Sequence, residues 1–480
     1  MMTTSVSKRL RVALGTALSG VLTLCLIVAC GGEQSAGIQG SGSPVASGST
    51  AQGPITGFGS IFIDGIEYTT TGAQVSVDGQ SSTEAQLRVG YIVTVRGTVN
   101  ADGRTGTATS VAFSQDLRGP ITQIDTTANT FVVLGQTVRI VDNTLFDDTL
   151  QPADITSLQV NTAVQVSGFA DASGAIVANR IEPSAAGAAL QVRGVAKLLD
   201  TSARTFRIGT LLVNYGNVTV TGTLAENAVV SVQGSAVSAG GALIASRVDV
   251  SRGLGAAAND KGQVEGVITQ FTSANDFVVD GQRITADTST ELVLRGTTLA
   301  INVPVKVRGT FNAGGVLAAT RIEVKPQSSA RVQGLVDSVN ATNNTLTVLG
   351  VVVTTTSATT YNDKSDQKLK SFKLSDVRSG DYVEVRGAQG TGSTLSASIV
   401  ERQRPDTRSS LRGVASNLAA PNFVVLGITV MTDTQTQFLG LGTPTQAPVA
   451  FFAQANGRIV KIRGTLTGNV FLADRVQIEP

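Results

Sequence analysis

The sequence predicts an all-β protein: a tandem array of six small five-stranded β-barrels behind an N-terminal targeting segment. Three observations predict it. A pattern of roughly 70 residues recurs six times over residues 53–480, and such self-similarity marks a repeat architecture. Each copy opens on a Gly-led strand start: Gly53-Pro-Ile-Thr, Gly119-Pro-Ile-Thr, Gly194-Val-Ala, Gly266-Val-Ile-Thr, Gly334-Leu-Val and Gly413-Val-Ala. Each later carries an alternating strand ending in Gly: Val93-Thr-Val-Arg-Gly97, Val164-Gln-Val-Ser-Gly168, Val230-Ser-Val-Gln-Gly234, Val305-Lys-Val-Arg-Gly309, Val383-Glu-Val-Arg-Gly387 and Val460-Lys-Ile-Arg-Gly464. Period-two alternation of this kind reads as a half-buried strand, and no stretch after residue 30 sustains a helical period.

Taken in order, the chain begins with a basic patch, Lys8, Arg9 and Arg11, followed by an apolar and small-residue run over 12–29. Ile27-Val28-Ala29-Cys30 then resembles a bacterial lipobox. The resemblance implies that 1–29 is a signal peptide and that Cys30 is lipidated on its sulfur and becomes the new N-terminus. The membrane partner would be reached through that anchor. Gly31 rather than Asp after the Cys points, in lipoprotein families, to the outer membrane of a bacterial cell envelope. The alternatives are an uncleaved membrane anchor or an ordinary secretory signal; a run of about 18 residues is short for a spanning helix.

Residues 30–52, rich in Gly, Ser and Ala, read as the lipidated Cys and a flexible tether. The copies follow at 53–118, 119–185, 191–252, 263–325, 331–402 and 410–480. Short connectors separate several of them, at 183–190, 251–262, 326–330 and 402–410. Domains this small bury a modest share of their surface, so contact between neighbouring copies would add to their stability.

The second copy shows the strands most clearly, at 120–124, 130–134, 137–141, 163–166 and 175–181, with a polar excursion over 142–161. Asp171-Ala-Ser-Gly174, like Asn100-Ala-Asp-Gly103 and Asn312-Ala-Gly-Gly315, is a hairpin signal. In the fifth copy 369–377 would form one helical turn, with Leu369, Phe372 and Leu374 near one face. Five strands with an insert after the third fit a small closed barrel, and closure removes exposed edges.

The recurring Phe-Val-Val-Leu-Gly (Phe131 to Gly135, Phe423 to Gly427), the Val-Glu-Val-Arg-Gly strand and the closing Ala-Asn-Arg-Ile-Glu (Ala178 to Glu182) or Ala-Thr-Arg-Ile-Glu (Ala319 to Glu323) resemble the bacterial domain-of-unknown-function family 5666. The resemblance spans nearly all of 53–480. It implies OB-like barrels in tandem within an envelope lipoprotein, and it brings no catalytic residues. The pattern departs at Ser110 in the first copy and Ile399 in the fifth, where the closing Arg is replaced.

Composition excludes several chemistries. The chain has no His, and its two cysteines are Cys25, inside the apolar run, and Cys30. Ser-His-Asp and Cys-His catalysis, His-based metal sites and a disulfide framework are therefore unavailable. No cofactor or metal site is expected. The 37 basic and 35 acidic residues become 34 and 35 once Lys8, Arg9 and Arg11 are removed; a nearly neutral chain lacks the electrostatic footprint of a nucleic-acid binder.

What remains is carboxylates and arginines. Asp142, Asp147, Asp148 and Asp154 crowd the second excursion, and Asp363, Asp366, Asp376, Asp381 and Glu384 the fifth copy. Suitably spaced, such pairs could hydrolyse a glycoside or bind Ca²⁺; otherwise they are solvated loop acids, and no complete Ca²⁺-loop pattern is present. The closing Arg180, Arg247, Arg321 and Arg475 are candidate ligand-binding residues for a polyanion or a glycan. A second basic set, Arg96, Arg308, Arg386 and Arg463, precedes the strand-four Gly. Both sets have a plainer reading as partners of nearby acids. Phe131, Phe206, Phe277 and Phe423 read as core rather than as stacking platforms. The resulting expectation is a non-catalytic envelope lipoprotein, a multi-domain binding or spacer module whose partner is an envelope glycan or another envelope protein. The alternative is an enzyme acting on an envelope polysaccharide through the loop carboxylates.

Overall fold

The computed structural model describes residues 47–251, 253–326, 328–440 and 445–479. The targeting segment, Cys30 and most of the tether lie outside the described residues. The second copy has its five strands in the expected order: Leu117–Asp125, Thr130–Val133, Gln136–Phe146, Ala163–Ala170 and Ile176–Pro183. The first pairs antiparallel with the second (Ile121↔Val133) and with the fourth (Gly119↔Val164). The third pairs antiparallel with the second and parallel with the fifth (Val138↔Ile176), and the fifth pairs with the fourth (Ile181↔Val166). The ring of pairings is closed, leaving only the start of the first strand, around Leu117, to pair beyond the barrel.

The copies that open with Lys261–Ser273 and Ala330–Asn340 close by the same circuit. The first copy follows it with short second and third strands, Ile61–Ile63 and Ile66–Thr69. The third and sixth copies depart from a uniform array of six barrels. Their first strand is broken at Ala196 and Ala415, both fully buried, into Leu190–Val195 with Lys197–Asp200 and Ser409–Val414 with Ser416–Ala419. Only the later piece pairs with the second strand.

The Gly at the end of the alternating strand is explained by a bulge. Register shifts at Arg96/Gly97, Arg308/Gly309, Arg386/Gly387 and Arg463/Gly464 push the Gly against the facing strand. A Cβ there would lie 2.0 Å from the carbonyl oxygens of Thr107, Ala318, Ser396 and Leu472 respectively. Gly168 and Gly234 stand in the same trap, at 2.4 and 2.5 Å. The bulge sharpens the twist that lets so short a sheet close.

Phe131, Phe206, Phe277 and Phe423 are buried core residues, as their place in the apolar second strand predicts. The excursions carry more structure than expected. In the sixth copy one holds a helix, Pro448–Gln454, whose Phe451 packs on Phe423 and Phe438 with ring centroids 5.5 and 5.4 Å apart. In the fifth, the helical turn narrows to the 3₁₀ segment Leu374–Asp376; Phe372 and Leu374 are buried, but Leu369 is exposed. The tether is shorter than expected, because the first strand already begins at Ser47 and pairs from there with Ile92–Val99.

Contacts between copies do not simply follow chain order. The second and third join first strand to first strand (Leu117↔Val192), and so do the fifth and sixth (Val332↔Leu411); each pair shares one apolar core. The first copy instead pairs in parallel with the fourth, from Ser49↔Lys261 to Gln52↔Val264. Leu145 of the second copy and Ile399 of the fifth complete the first copy's core. That explains the departure at Ile399: in this copy the closing position, 4% exposed, faces another barrel's apolar interior, where a guanidinium would go unsolvated.

Candidate functional site

The second basic set does not form a surface face; three of its members clamp copies together. Arg96 donates to the carbonyls of Leu254 and Gly255 (the latter at 2.9 Å), in the connector before the fourth copy. Arg308 reaches Asp64 of the first copy, at 3.0 Å to its carbonyl and 3.2 Å to its carboxylate. Arg386 donates to the carbonyls of Asp142 and Thr144 in the second copy, both at 2.8 Å. Burial opposes the charge on Arg386, but the Glu401 and Glu384 carboxylates outweigh it and hold its pKa above the ordinary value. Arg463, in the last copy, stays exposed with Asp406 3.8 Å away.

The four candidate ligand-binding arginines fall in different environments. Arg180 is buried between the first and second copies, bonded to Glu182 at 2.6 Å, to the Val89 carbonyl at 3.3 Å and to Asp147 at 3.4 Å. Tyr91 of the first copy donates to the same Glu182 at 2.5 Å. Arg247 is half-exposed and pairs with Asp249 at 2.6 Å. Arg321 pairs with Glu291 and lies 3.8 Å from Glu323. Arg475 is exposed and makes no ion pair among the described residues. The structure does not bring the four together.

The loop acids are occupied with local structure. Asp147 accepts from Thr149 and Asp154 from Thr156, each closing a turn. Asp148 faces Lys368 at 3.3 Å, and Asp366 faces Arg404 at 2.7 Å. Asp363 holds Arg402 in a two-pronged pair at 2.5 and 3.0 Å. Asp376 and Asp381 accept the backbone N–H of Lys373 and Arg378. Among the described residues, no group of three or more acids is placed to hold a metal ion.

Two clefts lie where copies meet. The larger, about 540 Å³, is bounded by the second, fourth, fifth and sixth copies. Asn129 and Asn143 line it from the second, Glu265 from the fourth, Arg331 and Arg386 from the fifth, and Lys461 from the sixth. The smaller, about 280 Å³, is lined by Asp116, Arg193 and Asp280. Arg193 binds Asp280 at 2.9 and 3.3 Å and stands 3.5 Å from Asp116. Gln52 donates to Asp280 at 2.8 Å, and the Gly168 N–H donates to Asp116 at 3.0 Å. Burial raises the Asp116 pKa to about 7, against the pull of Arg193 and the Gly168 N–H.

Arg331 and Lys461 were not among the candidates drawn from the repeat. Arg331 departs from it: it stands three residues before Gly334, where the second copy has Asp116 before Gly119. Lys461 falls at a position that Lys306 also fills in the fourth copy, and where the third copy has Ser231.

With this geometry in view, the comparison with protein families is informative. The family described as "Domain of unknown function (DUF5666)" matches at 52–112, 118–182, 265–323, 333–401 and 412–477. The chain belongs to that family, as a tandem repeat of its domain. The segment 190–250 is not among the matches; it repeats the strand pairing of the others, with the third strand parallel to the fifth at Leu212↔Ala242. No curated protein matches the chain.

Proposed function

We propose that this chain is a non-catalytic, lipid-anchored protein of the bacterial cell envelope that binds an envelope polymer in the clefts between its barrels. The observation that carries this reading is the polar cleft of about 540 Å³ at the junction of four copies. Ligand sites favour such concave junctions between domains. The non-catalytic part is supported by the loop acids: each bond described above commits a carboxylate to a turn or an ion pair. The anchor rests on the sequence around Cys30. No helix among the described residues is long and apolar enough to cross a membrane.

Retention of the purified full chain on isolated peptidoglycan, lipopolysaccharide and exopolysaccharide, over a salt series, tests the role. Saturable retention on one polymer is expected. Absence of retention on all three would overturn the binding role in favour of a spacer, and turnover of any of them would restore the enzyme alternative.

A further inference from the structure

The seam between the fifth and sixth copies carries a row of cations. Arg386 stands opposite Arg331, Arg331 opposite Arg412, and Arg412 opposite Lys461, across four adjacent antiparallel strands. Directly opposed residues share a face of the sheet, and like charges so placed destabilise it. The seam between the second and third copies provides an internal comparison. Its corresponding positions are Ser167, Asp116, Arg193 and Ser231, a row with one acid and one base. Barrel pairing therefore does not require the cationic row.

The carboxylates nearby neutralise only part of it. Arg386 faces Glu384 at 2.9 Å, without a hydrogen bond from its buried Nε, and is held by Glu401, which Lys364 shares at 2.9 Å. Arg412 is held by Asp142 at 2.9 Å and Glu479 at 2.5 Å. The other two are less well served. The nearest carboxylate to Arg331 is Glu384 at 3.8 Å, and its Nε is buried without a hydrogen-bond partner. Lys461 makes no ion pair or side-chain hydrogen bond among the described residues. Arg331 and Lys461 both line the large cleft. Two cations on the cleft wall are thus left without a hydrogen-bonded carboxylate, so the cleft is poised for an oxyanion.

The rest of the lining limits what carries that oxyanion. A volume of about 540 Å³ is far more than a bare phosphate fills. The side-chain amides of Asn129 and Asn143 offer both donors and acceptors, as a polyhydroxylated body requires. We infer that the cleft between the second, fourth, fifth and sixth copies binds an acidic saccharide, whose carboxylate or phosphate is held by Arg331 and Lys461. This rests on the binding role proposed above and names its site and ligand class.

The test is calorimetric titration of the full chain with digalacturonate, glucose 6-phosphate, neutral digalactose and inorganic phosphate, at two salt concentrations. Binding of at least one acidic sugar is expected, weaker at high salt and absent for digalactose; which acidic sugar binds separates carboxylate from phosphate. Lys461→Gln and Arg331→Gln are each expected to weaken it about tenfold or more. Because Lys461 bonds to nothing nearby and faces Arg412, Lys461→Gln does not lower the unfolding midpoint, and the result stays interpretable. The assignment is overturned if neither acidic sugar binds, if both variants bind as wild type does, or if inorganic phosphate binds as tightly as the sugars. Retention on an envelope polymer that neither variant alters would sink the cleft assignment and leave the binding role standing. Acidic-sugar binding lost in the variants, without retention on any polymer, would do the reverse.

Discussion

Arg193 of the third copy grips Asp280 of the fourth with two parallel hydrogen bonds, at 2.9 and 3.3 Å. The pair ties two barrels together across the smaller cleft, and Gln52 of the first copy joins it on Asp280. Removing one partner of such a pair leaves the other charge buried and uncompensated.

Arg193→Ala should therefore destabilise the chain by roughly 3 kcal/mol. Urea unfolding followed by circular dichroism reads this directly. A midpoint equal to that of wild type would show that the clamp contributes nothing.

Asp116 makes stability depend on pH. Its folded pKa of about 7 lies above the ordinary 3.8, so the folded state holds the proton more tightly. The stabilisation from this group is complete below about pH 4 and is lost as pH rises through 7. The gap sets an upper scale on the order of 4 kcal/mol. Asp116→Asn removes the titration, so the melting temperature of the variant minus that of wild type should become more positive between pH 5 and pH 8. A flat difference would count against a protonated Asp116.

The bulge glycines admit no side chain. Gly387→Ala drives a Cβ to 2.0 Å from the Ser396 carbonyl oxygen, and a loss of roughly 3 kcal/mol or more is expected. Gly103→Asn is the control: Gly103 has φ +64 with nothing within 4 Å, and Asn tolerates that conformation at a cost of about 1 kcal/mol or less. Equal losses in the two variants would refute the steric account.

The closing arginines should separate by environment. Arg180→Ala strips Glu182 and Asp147 of a buried partner and should cost roughly 3 kcal/mol. Arg475→Ala, at an exposed site, should change stability by less than about 0.5 kcal/mol. Thermal melts of the two variants side by side decide it, and indistinguishable midpoints would mean that position in the assembly does not matter.

Lipidation is tested in cells. Expressed in a bacterium with labelled palmitate, the chain should incorporate label, and Cys30→Ala should incorporate none. Label retained in the variant would place the modification elsewhere.

Much of the fold was legible because it is local. The alternation of Val164-Gln-Val-Ser-Gly168 and the apolar Phe131-Val-Val-Leu-Gly135 state which side chains face inward, and period-two geometry leaves little choice. The hairpin at Asp171 to Gly174 is likewise written in its turn residues: the Asp171 carboxylate accepts the Ser173 and Ala175 N–H groups, while Gly174 supplies φ +86. The candidate site was hardly legible. Arg180, Arg247, Arg321 and Arg475 look equivalent in the repeat, yet one is buried at a seam and another is exposed. Repetition specifies a residue's place within a barrel and says nothing about which barrel stands beside it.

The residues alone decided the strands, their order, the inward-facing core and the glycines at the bulges, because each depends on sterics and burial within some 70 residues of chain. Only the tertiary structure decided that the first copy pairs with the fourth, that Ile399 completes another copy's core, and that Arg386, Arg331, Arg412 and Lys461 stand in one row. Those relations join residues far apart in the chain, through surfaces whose complementarity exists only once each barrel has closed.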